Sequence, residues 1–122
     1  MTPTTLESLA ASTYVALTTF RGDGSPVSTA VWVARDGDAL VVITGPTSGK
    51  VRRIRANPAV TVAPCDIRGR VKGDALPGKA VVQDAESTAR TRDRIVRRYG
   101  LLARFFARGD VSASVGLSIT LD

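Results

Sequence analysis

Residues 39–58 read ALVVITGPTSGKVRRIRANP, and they contain a strand, a turn and a short basic helix in direct succession. The apolar, β-branched run from Ala39 to Thr44 is typical of a buried strand. Gly45 and Pro46 mark the turn, and Ser48 is a favoured residue at a helix N-terminus. This order places the start of the helix beside the end of a strand.

Four cations lie within six residues of this helix: Lys50, Arg52, Arg53 and Arg55. The first turn of a helix also presents unpaired N–H groups and the positive end of the helix dipole, which together bind phosphate or carboxylate. No acidic residue between Thr44 and Cys65 neutralises these charges. The alternative is a solvated basic helix with Val51 and Ile54 packed inward. We favour an anion-binding site, although the spacing of a P-loop is absent.

Five further segments have the composition of strands, which makes six with the run at residues 39–44. They are Thr13 to Phe20, Val27 to Ala34, Ala59 to Cys65, Gly78 to Gln83 and Ser112 to Leu121. Turns rich in Gly and Asp, at residues 21–26 and 35–38, join the first three strands, so we expect an antiparallel meander. Residues 66–77 have little apolar pattern and are expected to form a loop.

Two more helices are expected. Thr4-x-x-Glu7 has the form of a capping box, which predicts a short opening helix. After Asp84, apolar residues recur at helical spacing, with Gly100 as a point of division or kinking: Ile95, Val96, Tyr99, Leu102, Ala103 and Phe106. The predicted fold is one mainly β, α+β domain over residues 1–122, a six-stranded antiparallel barrel with short helices at its side.

The composition excludes several kinds of site. The 122 residues include no histidine, which excludes histidine-based triads and histidine metal sites. A single cysteine allows neither an internal disulfide nor a cysteine zinc site, and we expect a cytoplasmic location. We expect no membrane insertion and no signal peptide, because the required apolar runs are absent. The net charge of +6 favours an anionic partner: nucleic acid, a phosphorylated cofactor or an acidic membrane surface.

The other candidate residues favour structural roles. Trp32 lies in a strand and could face the core, a cofactor or another subunit, with core or interface as the default. Cys65 is expected to be inert. The arginine-rich stretch from Arg90 to Arg104 is interpreted as scaffold, because a nucleic-acid surface would need exposed stacking aromatics. No pair of carboxylates suits general acid–base catalysis.

An ordered set of motifs carries a resemblance to a known family. The motifs, with x for any residue, are YVALTTF at 14–20, GxPV at 24–27, VWVA at 31–34, TG at 44–45, SGKVxRIRxNP at 48–58 and VTVAPCD at 60–66. In this order they resemble the split β-barrel proteins related to pyridoxamine-phosphate oxidase, in the branch that uses the deazaflavin coenzyme F420. Gly49 before Lys50 departs from the Arg-Lys pair typical of the pyridoxal-phosphate branch, which favours the deazaflavin branch.

The resemblance implies a split-barrel homodimer that holds two cofactors at the subunit interface and acts on a small-molecule substrate. It implies contacts to the cofactor phosphate from Ser48, Gly49 and Lys50, with Arg53 and Arg55 nearby. Around the ring system it implies Thr29, Val31 and Trp32, then Thr44, and a wall that includes Ala63 and Pro64. The implied reaction is hydride transfer between reduced deazaflavin and an organic acceptor, with no side chain assigned as proton donor.

Other functions remain open at this point. An enzyme that uses flavin mononucleotide (FMN), or a relative of heme-degrading proteins, would use the same barrel. A non-catalytic F420 carrier would bind the cofactor and oxidise nothing. A nucleic-acid-binding barrel would suit the charge of +6 and would bind with steep salt dependence. Nucleic acid is not the partner we expect, because the six aromatic residues lie mainly at apolar-patterned positions.

Overall fold

In the computed structural model, seven strands and three helices occur within residues 3–100 and 114–122, the part of the chain that the structure describes. The helices are α1 (Leu6–Ala11), α2 (Gly49–Ala56) and α3 (Ala85–Tyr99). The strands are β1 (Tyr14–Phe20), β2 (Pro26–Trp32), β3 (Ala34–Asp36), β4 (Ala39–Thr44), β5 (Ala59–Cys65), β6 (Leu76–Val82) and β7 (Val115–Leu121). No helix in these ranges is long and apolar enough to cross a membrane.

The strands form one sheet in the order β2-β1-β5-β6-β7-β4-β3, with antiparallel neighbours throughout. The two edge strands, β2 and β3, are consecutive in the chain and are separated by Val33 alone. Because one residue joins opposite edges of the sheet, the sheet has to curl until those edges approach each other. The result is a split barrel with helices packed on it, which confirms the predicted mainly β, α+β fold.

The predicted number of strands is wrong, and the predicted meander is correct only for its two hairpins, β1–β2 and β3–β4. The segment from Val27 to Ala34 breaks at Val33 into β2 and β3, so the described residues form seven strands and not six. β2 pairs with β1, whereas β4 pairs with β3 and β7 on the other side of the sheet. The second turn is also tighter than expected, because Asp36 still belongs to β3 and Gly37 makes the turn with φ 61°.

The break at Val33 is stabilised by the end of α3. A residue that leaves the ladder exposes its N–H and C=O, and buried backbone groups need partners. The Val33 N–H donates to the Tyr99 hydroxyl at 3.1 Å, and that hydroxyl lies 2.8 Å from the carbonyl oxygens of Val33 and Thr13. The Arg98 guanidinium donates to the Val33 carbonyl and, at 2.9 Å, to the carbonyl of Ser12. The end of α3 therefore ties the broken strand to the start of β1.

Alternate side chains of the strands fill the barrel, and we call this side of the sheet the inner face. Its buried strand residues are Val15, Leu17, Leu40, Val42, Val60, Val62, Ala80, Leu117 and Ile119. Leu9 of α1 and Ile54 of α2 complete this core. α3 lies on the opposite, outer face, where Ile95 packs with Val41 of β4.

Gly116 of β7 fixes the position of α3. Its N–H donates to Thr88 Oγ1 at 3.0 Å, while Thr91 Oγ1 donates to Gln83 Oε1 at 2.7 Å. A Cβ atom added at position 116 would meet Gln83 Oε1, which accepts from Thr91, so a larger residue there would displace the Gln83 side chain. These contacts hold α3 in place between Val33 and β7.

The boundaries of the first two helices follow the predicted signals closely. The capping box of α1 lies one residue later than Thr4, because Thr5 Oγ1 accepts from the Ser8 N–H at 3.1 Å and Ser8 Oγ accepts from the Thr5 N–H at 2.8 Å. α2 begins directly after Ser48 and is capped by Asn57, as predicted.

The later elements differ more from the prediction. α3 is capped by Gly100, which has φ 74°. The predicted continuation through Leu102, Ala103 and Phe106, and the predicted start of the last strand at Ser112, lie outside the described residues. β6 begins at Leu76, so the preceding loop is shorter than residues 66–77.

Tyr99→Phe should lower the free energy of unfolding by about 1–3 kcal/mol, because the buried Val33 N–H would lose its acceptor while the aromatic ring stays. Urea denaturation followed by circular dichroism measures the difference. Tyr14→Phe is the matched control, since its hydroxyl makes no bond to Val33. Equal stability of the Tyr99→Phe protein and the wild type would contradict the role given to the hydroxyl.

Candidate functional site

The start of α2 has no side-chain cap on its backbone N–H groups. Ser48 occupies the N-cap position, but its side chain makes no capping hydrogen bond. Instead, Ser48 Oγ accepts a hydrogen bond from Thr44 Oγ1 at 3.3 Å, which ties the helix start to the end of β4. Gly49 and Lys50 are the first helical residues. N–H groups at such a position are the donors that bind phosphate oxygens.

Arg53 folds back over the start of α2. Its Nε donates to Thr19 Oγ1 at 2.6 Å, and Thr19 is buried at 1% exposure. A Cβ atom added to Gly49 would lie 2.6 Å from Nη1 of Arg53. The guanidinium therefore lies in the space that a side chain at position 49 would use.

Lys50 lies close to Arg53, because residues three apart are neighbours on a helix surface. Lys50 is half-buried, and this burial lowers the pKa of its amine, with the charge of Arg53 lowering the pKa further. The sequence between Thr44 and Cys65 contains no carboxylate that could pair with either cation. Lys50, Arg53 and the first N–H groups of α2, which we call the anion site, form an environment that a phosphate group fits.

Arg55 lies apart from the anion site. It lines an open groove of about 440 Å³ between α2 and β6, together with Val81 and Gln83. The groove is too open to enclose a small molecule, and Arg55 is the one predicted cofactor residue that lines it. Arg52, the remaining cation of α2, is exposed.

The predicted cofactor residues of β2 point to different faces of the sheet. Thr29 and Val31 pair with core residues of β1 and lie on the inner face. Trp32 lies on the outer face, where its ring stacks on Tyr99 with centroids 4.6 Å apart and planes 8° apart. Among these three residues, Trp32 is therefore the one whose side chain faces outward from the barrel.

The predicted wall residues of β5 also divide between the faces. Ala63 lies on the outer face opposite Ala16 and is 3% exposed. Pro64 lies opposite Val15. The loop between β5 and β6 packs against Pro64, because a Cβ atom added at Gly73 would lie 3.0 Å from Pro64 Cγ. Ala63 therefore lies on the same face of the sheet as Trp32, and Pro64 lies on the opposite face.

The predicted residues form two groups at opposite ends of β1. Lys50 and Arg53 lie near Thr19, at its end, whereas Trp32 pairs with Tyr14, at its start. Tyr14 and Thr19 are five residue steps apart along the strand, which is about 17 Å. One copy of the chain does not bring Trp32 and Lys50 into a common pocket.

Three other titratable groups, Cys65, Asp66 and Asp84, belong to the fold and not to the anion site. Cys65 is 5% exposed, and burial raises the pKa of its thiol, so the thiol stays protonated at neutral pH. Asp66 accepts hydrogen bonds from the N–H groups of Arg70 and Arg68, at 2.9 Å each, which lower the pKa of its carboxyl group. Asp84 caps α3 in the same way, with the same effect on its pKa.

The contacts of two residues, Thr19 with Arg53 and Tyr99 with Trp32 and Val33, were not predicted from the sequence. Thr19 carries a signal, because it is a polar residue at an inward position of an otherwise apolar strand face. Tyr99 carries none, because its hydrogen bond to Val33 spans 66 residues. Local patterns do not report such a contact.

The sequence and the fold both have known relatives. The family model for pyridoxamine 5'-phosphate oxidase matches residues 1–120. None of the curated proteins matches the sequence. Among solved structures, an F420 reductase is 28% identical with a TM-score of 0.69, over 99% of this chain and 96% of that chain.

Two further solved structures are similar in fold. A FAD-binding protein from Mesorhizobium loti is 21% identical with a TM-score of 0.70, over 95% of this chain and 86% of that chain. A heme storage protein from Vibrio cholerae is 13% identical with a TM-score of 0.71, over the same shares of the two chains. At these identities the likeness concerns the fold alone.

The Lys50 amine should lose its charge at a lower pH than an ordinary lysine, because burial and the Arg53 charge both disfavour the ammonium form. The chain has three lysines, Lys50, Lys72 and Lys79, so carbon-13 labelling of lysine gives three side-chain signals to titrate by NMR. Lys50→Arg identifies the signal of Lys50. A Lys50 midpoint at or above that of a lysine in a short peptide would contradict the described environment.

Proposed function

The chain belongs to the pyridoxamine 5'-phosphate oxidase family, and we propose that it is a coenzyme F420-dependent oxidoreductase that acts on a small organic molecule. The observation that carries the proposal is the anion site, where Lys50 and Arg53 lie together beside uncapped N–H groups of α2. The cofactor phosphate is an anion of the kind that such donors bind.

The F420 reductase among the solved structures supports the deazaflavin over other cofactors. Its 28% identity extends over nearly the whole of both chains. FMN is the second candidate, because its phosphate would suit the same donors and the fold also occurs in a FAD-binding protein. Lys50 and Arg53 would bind the phosphate of either cofactor, so these two residues do not decide between the two ring systems.

The residues of this chain would contribute binding and orientation. When bound, the reduced deazaflavin supplies a hydride. Lys50, Arg53 and the N–H groups of α2 would hold the phosphate, and Thr44 would hold Ser48 at the helix start through the bond at 3.3 Å. The chain has no histidine, and catalysis would rest mainly on orientation and on the exclusion of water.

We further propose a homodimer in which each cofactor site takes residues from both subunits. Within one subunit, Trp32 and Lys50 lie at opposite ends of β1. A second subunit would bring its Trp32 to the anion site of the first, and one cofactor could then contact both. Ala30 and Trp32 are partly exposed on the outer face of β2, and this is the surface that would accept the ring and the partner.

Lys50→Ala should weaken F420 binding at least several-fold, because a cation next to the phosphate would be lost. Fluorescence titration of the purified protein with F420, and in parallel with FMN, gives both affinities. Lys79→Ala is the matched control, since Lys79 is an exposed lysine on β6. Unchanged F420 affinity in the Lys50→Ala protein would overturn the placement of the phosphate.

The same titrations separate the alternatives. Tight FMN binding with no F420 binding would replace the deazaflavin proposal with the flavin alternative. Tight F420 binding with no oxidation of reduced F420 across a panel of organic acceptors would favour a carrier.

Mixing Lys50→Ala and Trp32→Leu proteins should restore part of the F420 binding that each has lost. Subunit exchange in a homodimer would create one site with both native residues, whereas two monomers could not complement each other. Analytical ultracentrifugation of the wild type should show a dimer. A wild-type monomer that binds F420 fully would contradict the shared site.

A further inference from the structure

We propose that Thr19 and Gly49 are positioning residues of the anion site, which together hold the Arg53 guanidinium beside Lys50. The inference rests on the proposed function, because it concerns the same site, and it names what sets the geometry of that site. Neither residue supplies a charge. Both act through Arg53.

Gly49 provides the space for the guanidinium. The 2.6 Å between Nη1 of Arg53 and a Cβ atom added at Gly49 is shorter than any normal contact, so another residue at this position would displace Arg53. Gly49 does not need glycine for its backbone conformation, because it is helical and lacks a positive φ. The Arg53 guanidinium, and no backbone atom, is therefore what a larger residue at position 49 would meet and push aside.

Thr19 provides the fixed point for the guanidinium. Its hydroxyl is buried on the inner face of β1 and accepts from Arg53 Nε at 2.6 Å. Lys50 repels Arg53, and without the bond to Thr19 the long Arg53 side chain would turn toward water. The bond uses Nε, which leaves the N–H groups on the two Nη atoms as donors for a phosphate.

Two cations therefore converge from neighbouring turns of α2, one held by β1 and the other by the burial of its own side chain. Such a site is arranged before the phosphate arrives, so binding does not have to order Arg53. The contribution of Arg53 to phosphate binding should depend on Thr19 and Gly49 as much as on its own charge.

Gly49→Ala and Thr19→Val should each weaken F420 binding about tenfold in fluorescence titration, as expected when a charge-assisted hydrogen bond is lost. Thr19→Ser keeps the hydroxyl and should bind as the wild type does. Gly45→Ala is the matched control for Gly49→Ala, because Gly45 lies four residues earlier, in the connection between β4 and α2, and its added Cβ would meet no atom within 4 Å. Urea denaturation should show that Gly49→Ala is no less stable than the wild type, since alanine is the better helix former.

A second readout needs no cofactor. In Thr19→Val and Gly49→Ala, the NMR titration midpoint of Lys50 should move up, because the charge of Arg53 has moved away. It should stay in place in Gly45→Ala and Thr19→Ser. A loss of binding caused by general damage to the fold would not produce this pattern across the four variants.

The outcomes separate this inference from the proposed function. If Lys50→Ala weakens F420 binding but Gly49→Ala and Thr19→Val do not, the inference fails and the function stands. If the wild type binds neither F420 nor FMN, the function fails. The affinities of the same variants for inorganic pyrophosphate then test the inference. An unchanged Lys50 midpoint in both positioning variants would overturn the inference in either case. If Thr19→Val does not fold, Gly49→Ala decides alone.

Discussion

The hydrogen bonds that Tyr99 and Arg98 make to Val33 are the constraint on which the architecture depends. They satisfy the backbone groups that leave the ladder, and so they allow one continuous run of strand residues to serve both edges of the sheet. The barrel closes at that break, and α3 has to end there. The stack of Trp32 on Tyr99 follows from the same arrangement, because the ring of Tyr99 has to lie against the outer face to bring its hydroxyl to Val33.

The other end of the barrel differs in that neighbouring positive charges are left uncompensated. At the break, each polar group has a partner, whereas at the start of α2 two cations are neighbours and Lys50 is half-buried. Such crowding costs stability, since both desolvation and like-charge repulsion oppose the charged state of Lys50. Local arrangements that disfavour the folded protein are typical of places where a ligand is needed to complete the interactions.

The sequence predicted those elements whose signals are local. The strands at Ala39–Thr44 and Ala59–Cys65 have the predicted bounds, because β-branched apolar runs are enclosed by turn residues or proline. α2 lies between its predicted caps for a similar reason. The break at Val33 was missed because the alternation of residues continues through it and its cause lies in α3. The role of Thr19 was missed because Arg53 reaches it from 34 residues away. The cofactor-binding residues remain predictions. A sequence motif gives their order along the chain, but it does not show that they lie at two opposite ends of β1.

An arginine that occupies the space of another residue's side chain makes two positions depend on each other over evolutionary time. A lineage that replaces Gly49 with a larger residue loses the present location of the Arg53 guanidinium in the same step. A lineage that first replaces Arg53 leaves an empty space that any small or even basic residue at position 49 could fill. The order of the two changes therefore matters: replacing Arg53 first frees the space beside position 49, whereas replacing Gly49 first moves the guanidinium.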